Sequence, residues 1–308
     1  MKLSILVNLI KDLFGSGNNV RYAESPEISI GEVKKKLQMG DEAGAQALCL
    51  KILASEPNHQ EAVLALRNIT HAGVIRSVQQ RFPGMHYLNW LEWFHAMLKP
   101  ETYLEIGVES GQSLQYAKSP TRAVGVDPAL RVVHSQTTWS KFFALTSDDF
   151  FAQQEIAEVF GKSSIDFAFI DGLHTFDQAL RDFINVERYS SPRTVVVFHD
   201  IFPVIPETAK RERETDFWVG DTWKVMLILA KNRPDLNIFT IPTMPSGLGV
   251  VTGLDKNSSL LSQNFESLYG ECMSIDVNDY LADMEQILRV VPNEPQEVQR
   301  RLPGVDLC

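Results

Sequence analysis

Five short apolar segments alternate with helical stretches between residues 100 and 200. Each is a continuous apolar run that ends in a polar or glycine-containing turn: TYLEIGV (102–108), RAVGVD (122–127), KFFALTS (141–147), IDFAFID (165–171) and TVVVFHD (194–200). Strands that are buried on both faces of a parallel sheet have this pattern. Because the strands alternate with helices, the sequence predicts a doubly wound, Rossmann-like α/β sheet.

Two later segments extend this sheet. A helix ends near Pro234, and the stretches 237–242 and 247–253 are expected to be closing strands, which gives seven strands in total. We therefore predict a helical N-terminal region at 1–75, an α/β domain at 76–255 and a helical C-terminal tail at 256–308, with one helix over VNDYLADMEQILRVV (277–291).

The N-terminal region is predicted to be helical. Gly40-Asp41 separates two helices and Pro57 ends the second, with an apolar stripe between them. This spacing resembles a single tetratricopeptide repeat. The repeat-like helices are expected to form a cap on the main domain, a dimer interface or a peptide-binding groove. A dimer interface would make the protein a homo-oligomer. Residues 3–14 are expected to form an amphipathic helix that packs on the protein or a second subunit, or touches a membrane surface.

Composition excludes several classes of function. A formal net charge of -10 argues against nucleic-acid binding, which needs clustered basic residues. The three cysteines are far apart in the sequence, so we expect neither a thiolate zinc site nor a disulfide framework. This use of cysteine predicts a reducing, cytoplasmic location. No stretch has the roughly 18 apolar residues of a membrane span, and the N-terminus lacks a signal-peptide cleavage site. We expect a small-molecule substrate.

The first two strands end in residues that suit a nucleoside cofactor. Glu105, Gly107 and Gly111 form an acidic residue followed by G-x-x-x-G, and the turn is expected to lead into a helix near Ser110. A dinucleotide fingerprint would read G-x-G-x-x-G. A carboxylate at Glu105 would repel pyrophosphate but suits an ammonium group and a sulfonium. Asp127 can accept hydrogen bonds from both ribose hydroxyls.

These residues resemble the class I S-adenosylmethionine-dependent methyltransferases over roughly 100–255. The resemblance implies that Glu105, Gly107 and Gly111 line the methionine end of the cofactor and that Asp127 holds the ribose. In the family a polar residue after the third strand often contacts the adenine, so Ser147 and Asp148 are candidates for this role. The alternatives are a nicotinamide site or a fold that has kept no cofactor.

The fourth and fifth strands end in IDGLH and HD. Asp171 and Asp200 are expected to converge into an oxygen-rich site for a cation such as Mg²⁺, which would lower the pKa of an acceptor hydroxyl. His174 is then a candidate general base. Alternatively, the aspartate is an ordinary feature of cofactor-binding sheets and His174 caps the helix that begins near Thr175.

This half resembles the branch of the family that includes the macrocin-type sugar O-methyltransferases. In that type a Glu-Asp pair at the fifth strand binds metal, whereas this chain has His199 and Asp200. His199 therefore either replaces the glutamate as a ligand or hydrogen-bonds the sheet edge. The resemblance implies methylation of a hydroxyl on a small sugar-like or natural-product acceptor.

Flanking segments complete the prediction. The loop 201–222 is expected to cover the site, and Phe217 and Trp218 either face the substrate or pack the loop down. The aromatic helix MHYLNWLEWFHAML is expected to belong to the core, although its residues His86 and Tyr87 could reach the cofactor. The rival function is a protein-interaction module, in which the N-terminal helices recruit a partner and the sheet retains cofactor without catalysis.

Overall fold

The computed structural model describes residues 29–304, which fall into two compact units. The first unit contains the residues up to Ser77 together with Glu212–Trp218, and the second contains Val78–Arg211 and the chain from Val219 onward. The helix predicted at 3–14 lies outside the described residues. The predicted domain boundaries near 75 and 255 stay predictions.

Three helices form the first unit: α1 (Ile30–Gln38), α2 (Glu42–Ser55) and α3 (Gln60–Arg81), the last four residues of which belong to the second unit. Gly40 has a positive φ of 76°, and the Asp41 carboxylate caps α2 by accepting from the Gly44 amide, so the chain breaks where Gly40-Asp41 predicted. The buried side chains between these helices include Val33, Ala45, Cys49, Leu53, Ala62 and Leu66.

The second unit is built on a seven-stranded sheet, as predicted. Its strands are β1 (Thr102–Ile106), β2 (Arg122–Val126), β3 (Ser140–Phe143), β4 (Phe167–Ile170), β5 (Val195–Phe198), β6 (Asn237–Ile241) and β7 (Leu248–Thr252). The order across the sheet is β3-β2-β1-β4-β5-β7-β6. Pairing is parallel from β3 to β5, and β7 is antiparallel to both β5 and β6.

Nine helices accompany the sheet in residues 82–304, and its strands are mostly buried apart from the edge strand β3. The helices are α4 (Tyr87–Leu98), α5 (Ser147–Gln153), α6 (Ile156–Phe160), α7 (Phe176–Glu187), α8 (Lys224–Asn232), α9 (Leu260–Gln263), α10 (Phe265–Met273), α11 (Met284–Ile287) and α12 (Pro295–Gln299). In the part of the chain that the structure describes, no helix is both long and apolar enough to cross a membrane.

Two helix predictions are wrong. The connection after Gly111 contains only a single 3₁₀ turn, Leu114–Tyr116, because ten residues separate Gly111 from β2 and Pro120 lies among them. The predicted helix at 277–291 is broken into the 3₁₀ turns Val277–Asp279 and Leu281–Asp283 followed by the short α11. After α11 the chain turns and Val290 bridges to Thr240 of the edge strand β6.

Strand order reverses between β1 and β4. The strands β2 and β3 lie on one side of β1, and the strands β4 and β5 lie on its other side. In open α/β sheets the carboxyl ends of the strands at such a reversal leave a crevice in which ligands bind. The fold thus places the residues that follow β1, β2, β4 and β5 at one edge.

Candidate active site

The turn after β1 can be made only by glycine. Gly107 has φ of 89°, and a Cβ atom there would lie 1.9 Å from the carbonyl oxygen of Asp171, so the β1 and β4 turns pack backbone to backbone. Gly111 also has a positive φ, 76°, at the end of the same turn. Both glycines of the predicted motif are therefore required by the geometry of this edge.

Glu105 does not face an open crevice, which corrects the expectation from sequence. Its side chain is fully buried, and its two carboxylate oxygens accept hydrogen bonds from the Tyr103 and Ser113 hydroxyls. Burial raises the pKa of Glu105 to about 8, although both hydroxyls oppose that rise.

Asp127 lies half-buried at the end of β2. One carboxylate oxygen accepts from the Glu109 amide at 2.9 Å and the other from the Ala129 amide at 2.6 Å. These bonds fix the carboxylate beside the β1 turn, where it was predicted to hold a ribose. Since each carboxylate oxygen has two lone pairs, Asp127 retains accepting capacity for two further donors.

Ser147 and Asp148 begin α5, with the hydroxyl of Ser147 buried and Asp148 exposed. The side-chain amide of Gln178, on α7, lies 3.2 Å from the Ser147 oxygen, 3.3 Å from Asp148 and 3.1 Å from Asp182. Burial raises the pKa of Asp182 to about 7. Sequence reasoning missed Gln178 and Asp182, because both lie on an amphipathic helix where their spacing of four residues indicates only a shared face.

The structure brings together the predicted groups at the ends of β4 and β5. His174 Nε2 lies 3.0 Å from Asp200 Oδ2 and 3.8 Å from Asp171 Oδ1, and His199 Nδ1 lies 3.1 Å from Asp171 Oδ1. The Ser246 hydroxyl, in the β6–β7 connection, donates to Asp200. We refer to Asp171, His174, His199 and Asp200 as the strand-end cluster.

The two histidines decide the charge of the strand-end cluster. Burial alone would raise the pKa of Asp200, but His199 and His174 outweigh burial, and the pKa lies below its usual value. Conversely, burial would lower the pKa of His199, whereas Asp171 and Asp200 raise it well above its ordinary range. The cluster is therefore a set of mutually compensating charges.

Local geometry supports a functional role for the strand-end cluster. Asp200 has a positive φ of 56°, an uncommon conformation for a residue other than glycine, and is 4% exposed. Near the cluster in sequence, at the start of α7, the Phe176 amide donates a hydrogen bond to the Asp221 carboxylate. Sequence reasoning did not identify Asp221. The ring of Tyr87 packs on His199 with a centroid separation of 4.4 Å, and His86 packs on Tyr87.

Only part of the strand-end cluster can hold a metal ion as it stands. One ligand atom from each of Asp171, His174 and Asp200 lies within 4.8 Å of the others, whereas His199, predicted as a ligand, is absent from this set among the residues 29–304. Two carboxylates and one imidazole are suitable donors for a divalent cation. Phe217 and Trp218 belong to the first unit, in which Asp216 pairs with Arg67, so their predicted contact with substrate stays a prediction.

Known proteins give two kinds of comparison. Residues 104–201 match a family model described as a methyltransferase domain. Among solved structures, a putative O-methyltransferase from Klebsiella pneumoniae is 13% identical, with a TM-score of 0.41 over 60% of this chain and 89% of that one. TomG from Streptomyces achromogenes, an O-methyltransferase involved in tomaymycin synthesis and solved with S-adenosylmethionine, is 16% identical, with a TM-score of 0.42 over 59% and 89%.

An O-methyltransferase from Bacillus cereus, solved with S-adenosylhomocysteine, is 13% identical, with a TM-score of 0.39 over 82% of this chain and 100% of that one. No curated protein matches the sequence. The family match runs from the third residue of β1 to just past Asp200 and so includes every residue predicted to hold the cofactor or a metal ion or to act as general base. The match confirms a methyltransferase domain in this part of the chain, and the strand order agrees with the predicted Rossmann-like sheet.

Proposed function

We propose that the protein transfers a methyl group from S-adenosylmethionine to a hydroxyl of a small sugar-like or natural-product acceptor. The cofactor would lie across the ends of β1, β2 and β3, on Gly107, Gly111, Asp127, Ser147 and Asp148. The observation that carries the proposal is the strand-end cluster on the other side of the reversal, where two buried or half-buried carboxylates and two imidazoles meet. Methyl transfer to a hydroxyl requires loss of the hydroxyl proton, which a cluster of carboxylates and imidazoles can accept.

His174 is the proposed general base. Its Nε2 atom lies 3.0 Å from Asp200 Oδ2, which is hydrogen-bonding distance for an imidazole that carries a proton on Nε2. Asp200 would thus orient the ring and stabilise the imidazolium that forms when His174 takes the hydroxyl proton. The displacement at the sulfonium methyl is in line, so the remaining task of the site is alignment.

We also propose that a divalent cation such as Mg²⁺ assists. Asp171, His174 and Asp200 would hold it, because their ligand atoms already lie within 4.8 Å of one another. A bound cation lowers the pKa of a coordinated hydroxyl. In that case His174 serves as a ligand, and His199, which is 3.1 Å from Asp171, orients that carboxylate. A requirement for metal therefore decides which of the two roles His174 has.

The acceptor is proposed to reach the strand-end cluster from a neighbouring groove. An open groove of about 540 Å³ is lined by Phe82, Phe202, Pro242 and Val291, with Arg81 and Glu285 paired at its rim. Pro242 directly follows β6, and Phe202 comes two residues after Asp200, so the groove lies at the carboxyl edge of the sheet. This volume is typical of sites for small molecules. The cluster residues themselves do not line the groove.

The test is a transfer assay with purified protein and S-adenosylmethionine labelled in its methyl group, on a panel of sugar and natural-product alcohols. Each reaction is run in chelator and with added Mg²⁺. The proposal predicts label in at least one alcohol, at a rate that Mg²⁺ raises. Full activity in chelator would remove the metal but leave the enzyme. Tight binding of S-adenosylhomocysteine without transfer to any alcohol would instead favour the interaction module.

A further inference from the structure

Asp182, Gln178, Ser147 and Asp148 form one hydrogen-bonded group between α5 and α7. Gln178 Nε2 lies within 3.3 Å of an oxygen from each of the other three side chains. Asp182 is 1% exposed and Ser147 is 8% exposed, whereas Asp148 lies at the surface. The group therefore runs from the interior to the predicted adenine end of the cofactor site.

When Asp182 is ionised, the number of available protons limits the direction of the hydrogen bonds. The Gln178 amide has two N–H groups for three nearby oxygens, so one oxygen must be served differently. Ser147 can donate its own proton, and its hydroxyl is a hydrogen-bond partner of Asp182. With Ser147 donating to Asp182, the two amide protons of Gln178 are shared among the oxygens of Ser147, Asp182 and Asp148. The Ser147 oxygen and the Asp148 carboxylate then both present lone pairs.

We propose that Gln178 and Asp182 position Ser147 and Asp148 as paired acceptors for the 6-amino group of the cofactor's adenine, and so set a preference for adenine over hypoxanthine. This inference rests on the proposed function, since it needs an adenosine cofactor at this end of the sheet. Neither Gln178 nor Asp182 contacts the cofactor in this account. Both are positioning residues that act through Ser147 and Asp148.

The chemistry of the two bases makes the proposal specific. The 6-amino group of adenine supplies two N–H donors, which match two acceptors, whereas hypoxanthine has a carbonyl oxygen at the same position. A site that presents only acceptors leaves that carbonyl facing lone pairs, and sites built for one hydrogen-bond pattern reject the opposite pattern strongly. Substitutions that reverse or loosen the acceptors should therefore change base preference more than overall affinity.

Two variants separate positioning from a purely structural role. In Asp182→Asn the new amide can donate to Ser147, which frees the serine proton to point at the cofactor as a donor. In Gln178→Met the bond that orients Asp148 is lost while side-chain volume is nearly kept. Gln153→Met, an exposed glutamine at the end of α5, is the matched control.

The measurement is calorimetric binding of S-adenosylhomocysteine and S-inosylhomocysteine at pH 8.5, where the Asp182 carboxyl of the wild type is ionised because its pKa is about 7. The proposal predicts that the wild type and Gln153→Met prefer the adenosyl compound, and that the ratio of the two dissociation constants falls about tenfold in each of the other variants. Melting temperatures establish that each variant is folded.

Unchanged ratios in folded Asp182→Asn and Gln178→Met would overturn the inference and leave the proposed function intact. If only one of them folds, its ratio alone decides, since each variant is predicted to lower it. A wild type that binds neither compound would contradict the proposed function itself, and the inference with it. A wild type that binds both equally well would show that the acceptors do not read the base.

Discussion

Buried carboxyl groups occur on both sides of the strand reversal, but their pKa values are shifted in opposite directions. At the ends of β4 and β5, Asp200 is 4% exposed, yet its pKa lies below the usual value because His199 and His174 outweigh burial. On the proposed cofactor side, Glu105 and Asp182 are equally buried. Burial raises their pKa values to about 8 and 7, and the hydrogen bonds from neutral hydroxyl and amide groups oppose that rise only in part.

The difference shows that partners, rather than burial, decide which carboxyl groups carry charge near pH 7. Neutral donors lower the pKa of Glu105 and Asp182 but do not cancel the cost of desolvation. Imidazoles supply a full counter-charge at Asp200. The buried carboxylate on the proposed acceptor side is therefore balanced by imidazoles, whereas the buried carboxyl groups on the proposed cofactor side have neutral hydrogen-bond partners.

Removing a histidine from the strand-end cluster should have the largest effect on stability. In His199→Leu, Asp171 and Asp200 lose a buried counter-charge, and we expect the free energy of unfolding to fall by about 3–5 kcal/mol. Urea unfolding in the presence of chelator measures this loss of unfolding free energy.

His71→Leu, which changes an exposed imidazole on α3, is the control and should shift the free energy of unfolding by less than about 0.5 kcal/mol. Adding Asp171→Asn to His199→Leu should restore part of the loss, because one uncompensated charge is removed. A His199→Leu protein as stable as the control would show that the histidine does not balance these carboxylates.

Neutralising Asp182 should stabilise the protein, whereas the loss of His199 should destabilise it. Its folded pKa of about 7 is higher than the value of about 4 in an unfolded chain, so this carboxyl favours folding below pH 4, and that contribution is lost as the pH rises to 7. Asp182→Asn is expected to be more stable than the wild type at pH 8, by at most about 4 kcal/mol.

Thermal unfolding from pH 4 to pH 8 tests this expectation. The wild type should lose stability across that range more steeply than Asp182→Asn, whereas Asp283→Asn, an exposed aspartate before α11, should follow the wild type. Parallel curves for the wild type and Asp182→Asn would contradict the raised pKa.

Asp127 sharpens the comparison, since it is on the cofactor side but is half-exposed and bonded by backbone amides. Asp127→Ala should weaken binding of S-adenosylhomocysteine by about 2–4 kcal/mol through the loss of charge-assisted hydrogen bonds to the ribose. Calorimetry with Asp283→Ala as control measures the loss. A folded Asp127→Ala protein with wild-type affinity would remove this residue from the cofactor site.

Much of the sheet and the strand ends could be predicted from sequence, because each depends on local patterns. Continuous apolar runs indicate buried parallel strands, and the residue that closes such a strand necessarily emerges at the carboxyl edge. For that reason Asp127, Asp171 and Asp200 were identified together with His174, and the structure places the last three within one cluster.

The rest depends on contacts between segments that are distant in the chain. Ser246 reaches Asp200 from the β6–β7 connection, and Gln178 joins α7 to α5, neither of which a local pattern reveals. Glu105 was expected to face the crevice. Its actual partners, the hydroxyls of Tyr103 and Ser113, are brought to it by the fold of the β1 turn, which the sequence pattern does not reveal. The missing helix after Gly111 reflects chain length rather than propensity.

The central claim is that the strand-end cluster performs proton transfer apart from cofactor binding, and His174→Ala tests it most directly. With an acceptor found in the transfer assay, kcat and the dissociation constant of S-adenosylhomocysteine are measured on this variant and on His71→Ala. The account predicts that kcat falls about 10²–10⁴-fold while the dissociation constant changes by less than about threefold. A His174→Ala enzyme that turns over near the wild-type rate would contradict it.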